Sequence, residues 1–189
     1  MAPKPVSDID LALDYFNQTH KHVIAVTTGL SDAQWRFKPA PDRWSIAEIL
    51  EHMVIIEERV LGPVRDQLAQ APAPPADYNP TLVDTLVFEK IPDRSLKANA
   101  PAGVHPTGEW AQTDTLDRIA HNYRRLAEFV ESTPDLRRHI LESPPLRYLT
   151  SGAHTTMDGV QWAITAAAHD KRHIRQIEEL QADANYPAA

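Results

Sequence analysis

The chain has 189 residues, of which 42% are hydrophobic and 24% charged, and its formal net charge is −7. These values are typical of one globular domain, here spanning residues 1–189, and the acidic balance argues against nucleic acid or an anionic membrane surface as a partner. The absence of cysteine excludes disulfides, a cysteine nucleophile and thiolate metal sites.

The first predicted element is a helix from about Asp8 to Thr28. Apolar residues recur there at helical spacing, and Gly29 provides a C-terminal stop. Ser31 then predicts the cap of a short turn, which a proline-containing loop follows.

The stretch WSIAEILEHMVIIEERVL, residues 44–61, predicts the strongest helix. Ser45 is a favourable N-cap, and Glu48 completes a capping box. The Gly-Pro pair at 62–63 predicts a kink or an end, because proline lacks an amide donor. The apolar stripe consists of Ile46, Ile49, Met53, Ile56 and Val60. A charged, solvent-exposed face is predicted for Glu57, Glu58 and Arg59.

Residues 71–110 have little regular pattern. Only 81–90 predicts a short helix, and forty residues of this kind are long for a loop in a compact domain. We expect a long, irregular insertion that either covers a site or is partly mobile.

Two further helices are predicted, from about Thr113 to Glu131 and from about Thr156 to Ala182. Apolar residues line one face of each, Tyr123 and Ile174 among them. No run alternates as a β-strand does. Four long amphipathic helices predict an all-α fold, a four-helix bundle with the insertion between its second and third helices.

Two histidines stand four residues apart in AHDKRHIRQI, residues 168–177. Nine histidines give about 0.4 such pairs by chance in a chain of this length, so the spacing alone is weak evidence. On a helix, His169 and His173 project within roughly 40° of each other. They face the side that also carries Trp162, Ala166, Ile177 and Leu180. Two inward imidazoles need partners, because an unpaired buried polar group is costly, and one metal ion satisfies both.

His52 on the second predicted helix is a third candidate ligand. It lies at the edge of the apolar stripe, and metal sites in bundles are built from side chains on facing helices. A single histidine at such a seam is also typical of a hydrogen-bonded core residue. The pattern alone therefore leaves two interpretations, a three-histidine metal site or histidines paired within the core.

The order His-Asp-x-x-His invites comparison with the HExxH motif of zinc peptidases. Asp170 is shorter than the glutamate of that motif and points about 100° away from the histidine pair. Only a short tail follows to supply a downstream ligand. We therefore interpret Asp170 as a solvated carboxylate or one that supports a ligand from behind.

Other side chains near these motifs have two interpretations each. For Trp44, the sequence favours packing onto the following helix over a role as the wall of a pocket. Gln176 is equally consistent with orienting a ligand and with a core hydrogen bond. His105 and His154 lie in predicted loops, where solvated side chains are the simpler interpretation.

Together, DRWSIAEILEHM (42–53) and AAHDKRHIRQI (167–177) resemble the DinB-like superfamily. Its members carry W-S-x-x-E-x-x-x-H on the second helix and H-x-x-x-H on the fourth. PTGEW (106–110) and GAHTTMDGVQWAI (152–164) are also similar, so the resemblance covers nearly the whole chain. It implies an up-down-down-up four-helix bundle, a homodimer, and a divalent metal held by His52, His169 and His173.

The resemblance also implies a class of function. Some members of the superfamily are transferases or isomerases that use a low-molecular-weight thiol, and others look like metal-dependent hydrolases. The expectation is thus a metal-dependent enzyme acting on a small molecule, with no catalytic residue identified. The alternative is a non-catalytic metal-binding or sensing module that acts as a dimer.

Metal identity and location follow from general considerations. Imidazole suits several divalent ions; zinc or nickel is expected first, with iron or manganese as alternatives. No signal-peptide core and no long apolar run occurs, so a cytoplasmic location is expected.

Overall fold

The computed structural model describes residues 8–95, 100 and 102–188, without the side chains of Val60 and Ala102. Within these ranges the chain is mostly helical, with one small antiparallel sheet. The α-helices are α1 (Asp8–Thr27), α2 (Asp32–Arg36), α3 (Ile46–Ile56), α4 (Gly62–Leu68), α5 (Pro80–Lys90), α6 (Gln112–Ser132), α7 (Pro144–Leu149) and α8 (Gly159–Gln181). The strands are β1 (Ile140–Glu142) and β2 (Thr156–Asp158), and 3₁₀ turns cover Ala102–Val104 and Leu136–Arg138.

The helix ends follow the local signals of the sequence. The predicted capping box at the start of α3 is present: Glu48 N–H donates to Ser45 Oγ, and Ser45 N–H donates to Glu48 Oε2 at 2.8 Å. Gly29 follows α1 with a φ of 75°, a conformation that costs glycine little. α6 matches the predicted third helix to within one residue at each end.

The Gly-Pro pair at 62–63 changes the helix without ending it. A π-helical turn, Glu57–Leu61, follows α3, and α4 continues to Leu68. Pro63 has no amide hydrogen, so it cannot pair with the carbonyl four residues earlier. Gly62 N–H instead donates to the carbonyl of Glu57, five residues earlier. The predicted interruption is therefore a local change in the backbone hydrogen bonds, which skip one residue more than in an α-helix. Two α-helical segments joined by this turn span the region.

The long helices pack through their apolar faces. α1 contacts α6 and α8, and α3 contacts the same two helices. Each fully buried aliphatic side chain contributes about 1.5–3 kcal/mol, so this core stabilises the fold without a ligand. Among its most buried members are Phe16, Ile49, Leu50, Met53, Ile119, Ile174 and Ile177.

The start of the last helix was predicted wrongly, as was the absence of strands. Thr156–Asp158 pairs antiparallel with β1, with Met157 opposite Leu141. Three-residue strands are too short to show alternation in a sequence. α8 begins at Gly159, where a Cβ atom would lie 2.6 Å from Leu68 Cδ2 and 2.7 Å from a backbone oxygen. Glycine therefore permits close packing where the sheet meets α8.

The short helix predicted within the insertion is confirmed as α5, which begins one residue earlier, at Pro80, and packs against α8. Gln161 Nε2 donates to Asp84 of α5 at 2.8 Å. Arg137 joins the same region by donating to Asp8, Asp84 and Asp158. Residues 96–99 and 101 of the predicted insertion lie outside the described residues. In the part of the chain that the structure describes, no helix is long and apolar enough to cross a bilayer.

Candidate metal centre

The structure brings all three histidines predicted from the sequence into one cluster. His52 comes from α3, and His169 and His173 come from successive turns of α8. Their rings lie 4.5–5.4 Å apart between centroids, and one nitrogen from each falls within 4.8 Å of the others. Three imidazoles from two helices therefore converge, as donors to a single ion must.

The loop before α6 determines which nitrogen of His52 is available. Its Nδ1 lies 2.8 Å from the carbonyl oxygen of Val104. A carbonyl only accepts, so Nδ1 carries the hydrogen and donates it. In the neutral ring Nε2 is then unprotonated, which is the state that binds a metal. The sequence did not indicate this contact, because every residue has a backbone carbonyl and no residue type marks the one that accepts.

Gln176 and Arg94 determine the tautomer of His173 in a similar way. Arg94 Nη1 approaches Gln176 Oε1 at 3.3 Å, and His173 Nδ1 approaches the same oxygen at 3.0 Å. Arginine only donates, so the contacting atom of Gln176 is its oxygen, and His173 Nδ1–H donates to it. Nε2 of His173 is left unprotonated. Of the two interpretations of Gln176, the structure favours orientation of a histidine.

His169 presents its Nε2 to the same point. This atom lies 3.1 Å from Nε2 of His173, near the separation of about 3.4 Å that two ligands at roughly 2.1 Å impose in a tetrahedron. Nδ1 of His169 faces the opposite way, 3.8 Å from Oδ1 of Asp170.

Burial disfavours the charged form of two histidines in the cluster. His52 and His173 are 4% and 7% exposed. Burial, and then the neighbouring His169, lower the pKa of His52 to about 4; burial and the other two histidines also hold the pKa of His173 well below its usual range. Neutral imidazole is the metal-binding form, so the lowered pKa values of His52 and His173 suit binding of a divalent ion.

A buried carboxylate anchors the loop that contacts His52. Glu51, 1% exposed, accepts hydrogen bonds from the backbone of Thr107 and Gly108 at 2.8 and 2.7 Å. Gly108 has a φ of 73° and lies so close to α3 that a Cβ would meet Glu48 at 3.1 Å. The PTGEW segment is thus fixed on α3, which positions the Val104 carbonyl beside His52.

Trp44 and His105 lie beside the cluster. The Trp44 ring is 4.8 Å from the ring of His52 and 6.5 Å from that of His173, nearly parallel to the latter. His105 is exposed, 6.2 Å from Trp44 between ring centroids. Half-buried Trp44 is therefore a wall of the cluster, the interpretation that the sequence favoured less. His154 lies in the turn after α7 and is not part of the cluster.

Comparison with known proteins identifies the family of the chain. A family model described as the DinB superfamily matches residues 15–177. The chain belongs to the DinB superfamily. The DinB match includes all three histidines and the loop that contacts them.

Among curated proteins, this DinB superfamily member is similar to the uncharacterized protein YuaE of Bacillus subtilis (strain 168). The two are 23% identical over 169 residues, which cover 89% of this chain and 96% of YuaE. The name of that relative states no activity. No solved structure matches the chain.

Behind the cluster, this DinB superfamily chain contains buried carboxyl groups. Asp170 is 1% exposed, which excludes the solvated interpretation. Glu57 was predicted to be exposed with Glu58 and Arg59, yet its Oε2 is buried; burial and then Asp170 raise its pKa well above the usual range. Glu57 follows Met53 by four residues, so it continues the apolar stripe. That spacing is the signal that could have identified it.

Proposed function

We propose that this protein is a metal-dependent enzyme in which His52, His169 and His173 hold a divalent ion through their Nε2 atoms. The observation that carries the proposal is the convergence of three imidazoles, each offering one nitrogen within 4.8 Å of the others. Two of them have Nδ1 engaged with Val104 and Gln176, so their free nitrogens face a common point. Family membership supports the same assignment.

The ligand count favours a catalytic ion over a structural one. No fourth His, Asp or Glu among the described residues joins the cluster, and the sequence of the undescribed segments contains none of these residue types. Structural zinc sites use four protein ligands, whereas catalytic sites use three and leave a position open. An open position supports binding of a substrate or a nucleophile.

The chemistry follows from the open position. Such an ion supplies Lewis acidity, which activates water or a small thiol as a nucleophile near neutral pH. Burial lowers the pKa values of His52 and His173, and Val104 and Gln176 orient these two imidazoles. Trp44 forms an apolar wall beside two ligands, which suits a substrate with an apolar group. No protein nucleophile is required.

Metal analysis tests the first part of the proposal. Purified protein, stripped with a chelator and reloaded in turn with Zn²⁺, Ni²⁺, Fe²⁺ and Mn²⁺, should bind one ion per chain. Loss of binding in His52→Ala, with retention in the exposed control His22→Ala, is the expected result. Equal affinity in both variants would overturn the assignment.

The open position distinguishes the two reaction classes. In Co²⁺-loaded protein, cysteine added as a small thiol should produce a sulfur-to-cobalt charge-transfer band if a thiol occupies that position. Transfer of the thiol to an electrophile would then support the transferase. Hydrolysis of an ester or amide without thiol, and no such band, would support the hydrolase.

A non-catalytic module is the second candidate, and one observation favours it. His52 and His173 are almost fully buried and join α3 to α8, as a structural cross-link between helices would. We also propose, on the resemblance, an up-down-down-up bundle formed by α1, α3–α4, α6 and α8, and a homodimer. Unfolding on metal removal would support the module. Sedimentation equilibrium tests the dimer.

A further inference from the structure

Asp170 combines complete burial with an oxygen that lies beside His169. Its Oδ2 accepts a hydrogen bond from Tyr123 Oη at 2.8 Å. Its Oδ1 and the Nδ1 of His169 are both buried without a hydrogen-bond partner, and they lie 3.8 Å apart. An unpaired buried polar atom costs about 1–3 kcal/mol, so two facing each other need an explanation.

Metal binding would create a need for a hydrogen-bond acceptor at Nδ1 of His169. When Nε2 of a histidine holds an ion, the hydrogen of the neutral ring is on Nδ1 and needs an acceptor. His52 has the Val104 carbonyl for this purpose, and His173 has Gln176. His169 has no such bond, and the nearby unpaired acceptor is Oδ1 of Asp170. A hydrogen bond of about 2.9 Å requires these two atoms, now 3.8 Å apart, to approach each other by roughly 0.9 Å.

We propose that Asp170 is the positioning residue of His169, accepting its Nδ1–H when a divalent ion is bound. The inference rests on the proposed metal site. It assigns an acceptor to each of the three histidines: a loop carbonyl, a side-chain amide and a carboxylate.

The surroundings of Asp170 hold it for this role. Tyr123, which stacks on His20 at 4.4 Å between ring centroids, stays a donor, because burial and the carboxyl groups raise its pKa well above the usual range. Burial, and then Asp170, raise the pKa of Glu57 well above its usual range. A proton is therefore harder to remove from the carboxyl group beside Asp170. A carboxylate behind an imidazole raises the basicity of the ligand and fixes its ring orientation.

Zinc affinity measured by chelator competition tests the proposal. Asp170→Asn replaces the carboxylate with a weaker acceptor, and we expect zinc binding at least about tenfold weaker than in the wild type. Tyr123→Phe frees Asp170 Oδ2 and should weaken zinc binding less. Asp158→Asn is the matched control: Asp158 is also buried, but it caps the far end of α8, so this variant should lose stability and keep zinc affinity.

A measurement on the wild type does not depend on the folding of any variant. In zinc-loaded protein labelled with ¹⁵N-histidine, His169 should show a slowly exchanging, downfield Nδ1–H resonance. An exchanging or absent Nδ1–H signal would overturn the proposal, as would wild-type zinc affinity in folded Asp170→Asn protein. A wild type that binds none of Zn²⁺, Ni²⁺, Fe²⁺ and Mn²⁺ would overturn the metal site itself, and the positioning role with it.

Discussion

Oε1 of Gln176 accepts the Nδ1 hydrogen of His173 at 3.0 Å, one turn along α8. This bond selects the tautomer whose Nε2 faces the other two histidines. Arg94, which also donates to Oε1 at 3.3 Å and pairs with Glu179, holds the amide in that orientation. Arg94 of the insertion thus acts on His173 through this amide oxygen, as Val104 acts on His52 through its carbonyl.

Replacing Gln176 should weaken metal binding without unfolding the protein. Gln176→Leu removes the acceptor, so His173 loses its preferred tautomer, and zinc affinity should fall about tenfold. Competition with a chromogenic chelator measures this. Gln181→Leu, on the same helix but bonded to Val26, is the control and should bind zinc normally. Equal loss in both variants would indicate a general effect on α8.

His173→Ala should abolish metal binding and leave a folded, helical protein. The core buries many apolar side chains that contribute about 1.5–3 kcal/mol each, whereas small zinc domains depend on the ion for most of their folding free energy. Circular dichroism and metal content measure the two outcomes. His121→Ala, at an exposed position of α6, is the control. An unfolded His173→Ala protein would favour the structural module.

Glu51→Ala should weaken metal binding through the loop. Without its carboxylate, the amides of Thr107 and Gly108 lose their acceptor, and the Val104 carbonyl is no longer fixed beside His52. Faster hydrogen exchange at 107–108 and weaker zinc binding should occur together. Glu48→Ala removes a cap of α3 and should cost about 1 kcal/mol of stability while zinc affinity is retained. Normal zinc affinity in Glu51→Ala, with weakened affinity in Glu48→Ala, would contradict the role of Glu51 in anchoring the loop.

Metal-free protein should lose stability as pH falls from about 6.5 toward 4. The pKa of His52 is about 4 in the folded state because of burial, against roughly 6.5 when unfolded. Between these values the unfolded chain binds more protons, so stability is complete above the unfolded pKa and decreases below it. Urea unfolding at several pH values measures this. In His52→Gln protein, the free energy of unfolding should depend less steeply on pH in this window. An unchanged pH dependence would argue against His52 as its source.

Arg137→Ala should destabilise the fold by about 2 kcal/mol and leave zinc affinity unchanged. Arg137 donates to Asp158, whose side chain is 0% exposed, and to Asp84. Its removal leaves a buried carboxylate without its charged partner, although the 27% exposure of Arg137 lets solvent offset part of the cost. Chemical denaturation measures the loss. Arg138→Ala, at an exposed neighbouring site, should have little effect.

The sequence by itself determined the four long helices to within a few residues, and the shared face of His169 and His173. Periodic apolar residues, the Ser45 capping box and Gly29 act through contacts a few residues apart, so their outcome is readable locally. His169 and His173 share a face for the same reason. The inward position of Glu57 was also readable, at four residues from Met53, but its charge suggested exposure.

Only the tertiary structure decided what surrounds the histidines. The Val104 carbonyl lies 52 residues from His52, and Arg94 lies 82 residues from Gln176. The pairing of β1 with β2 likewise joins segments that are too short to show a pattern. Such contacts depend on how helices pack rather than on local spacing. Tautomer, burial and pKa are therefore properties of the assembled core, because each depends on atoms that the chain brings together only on folding.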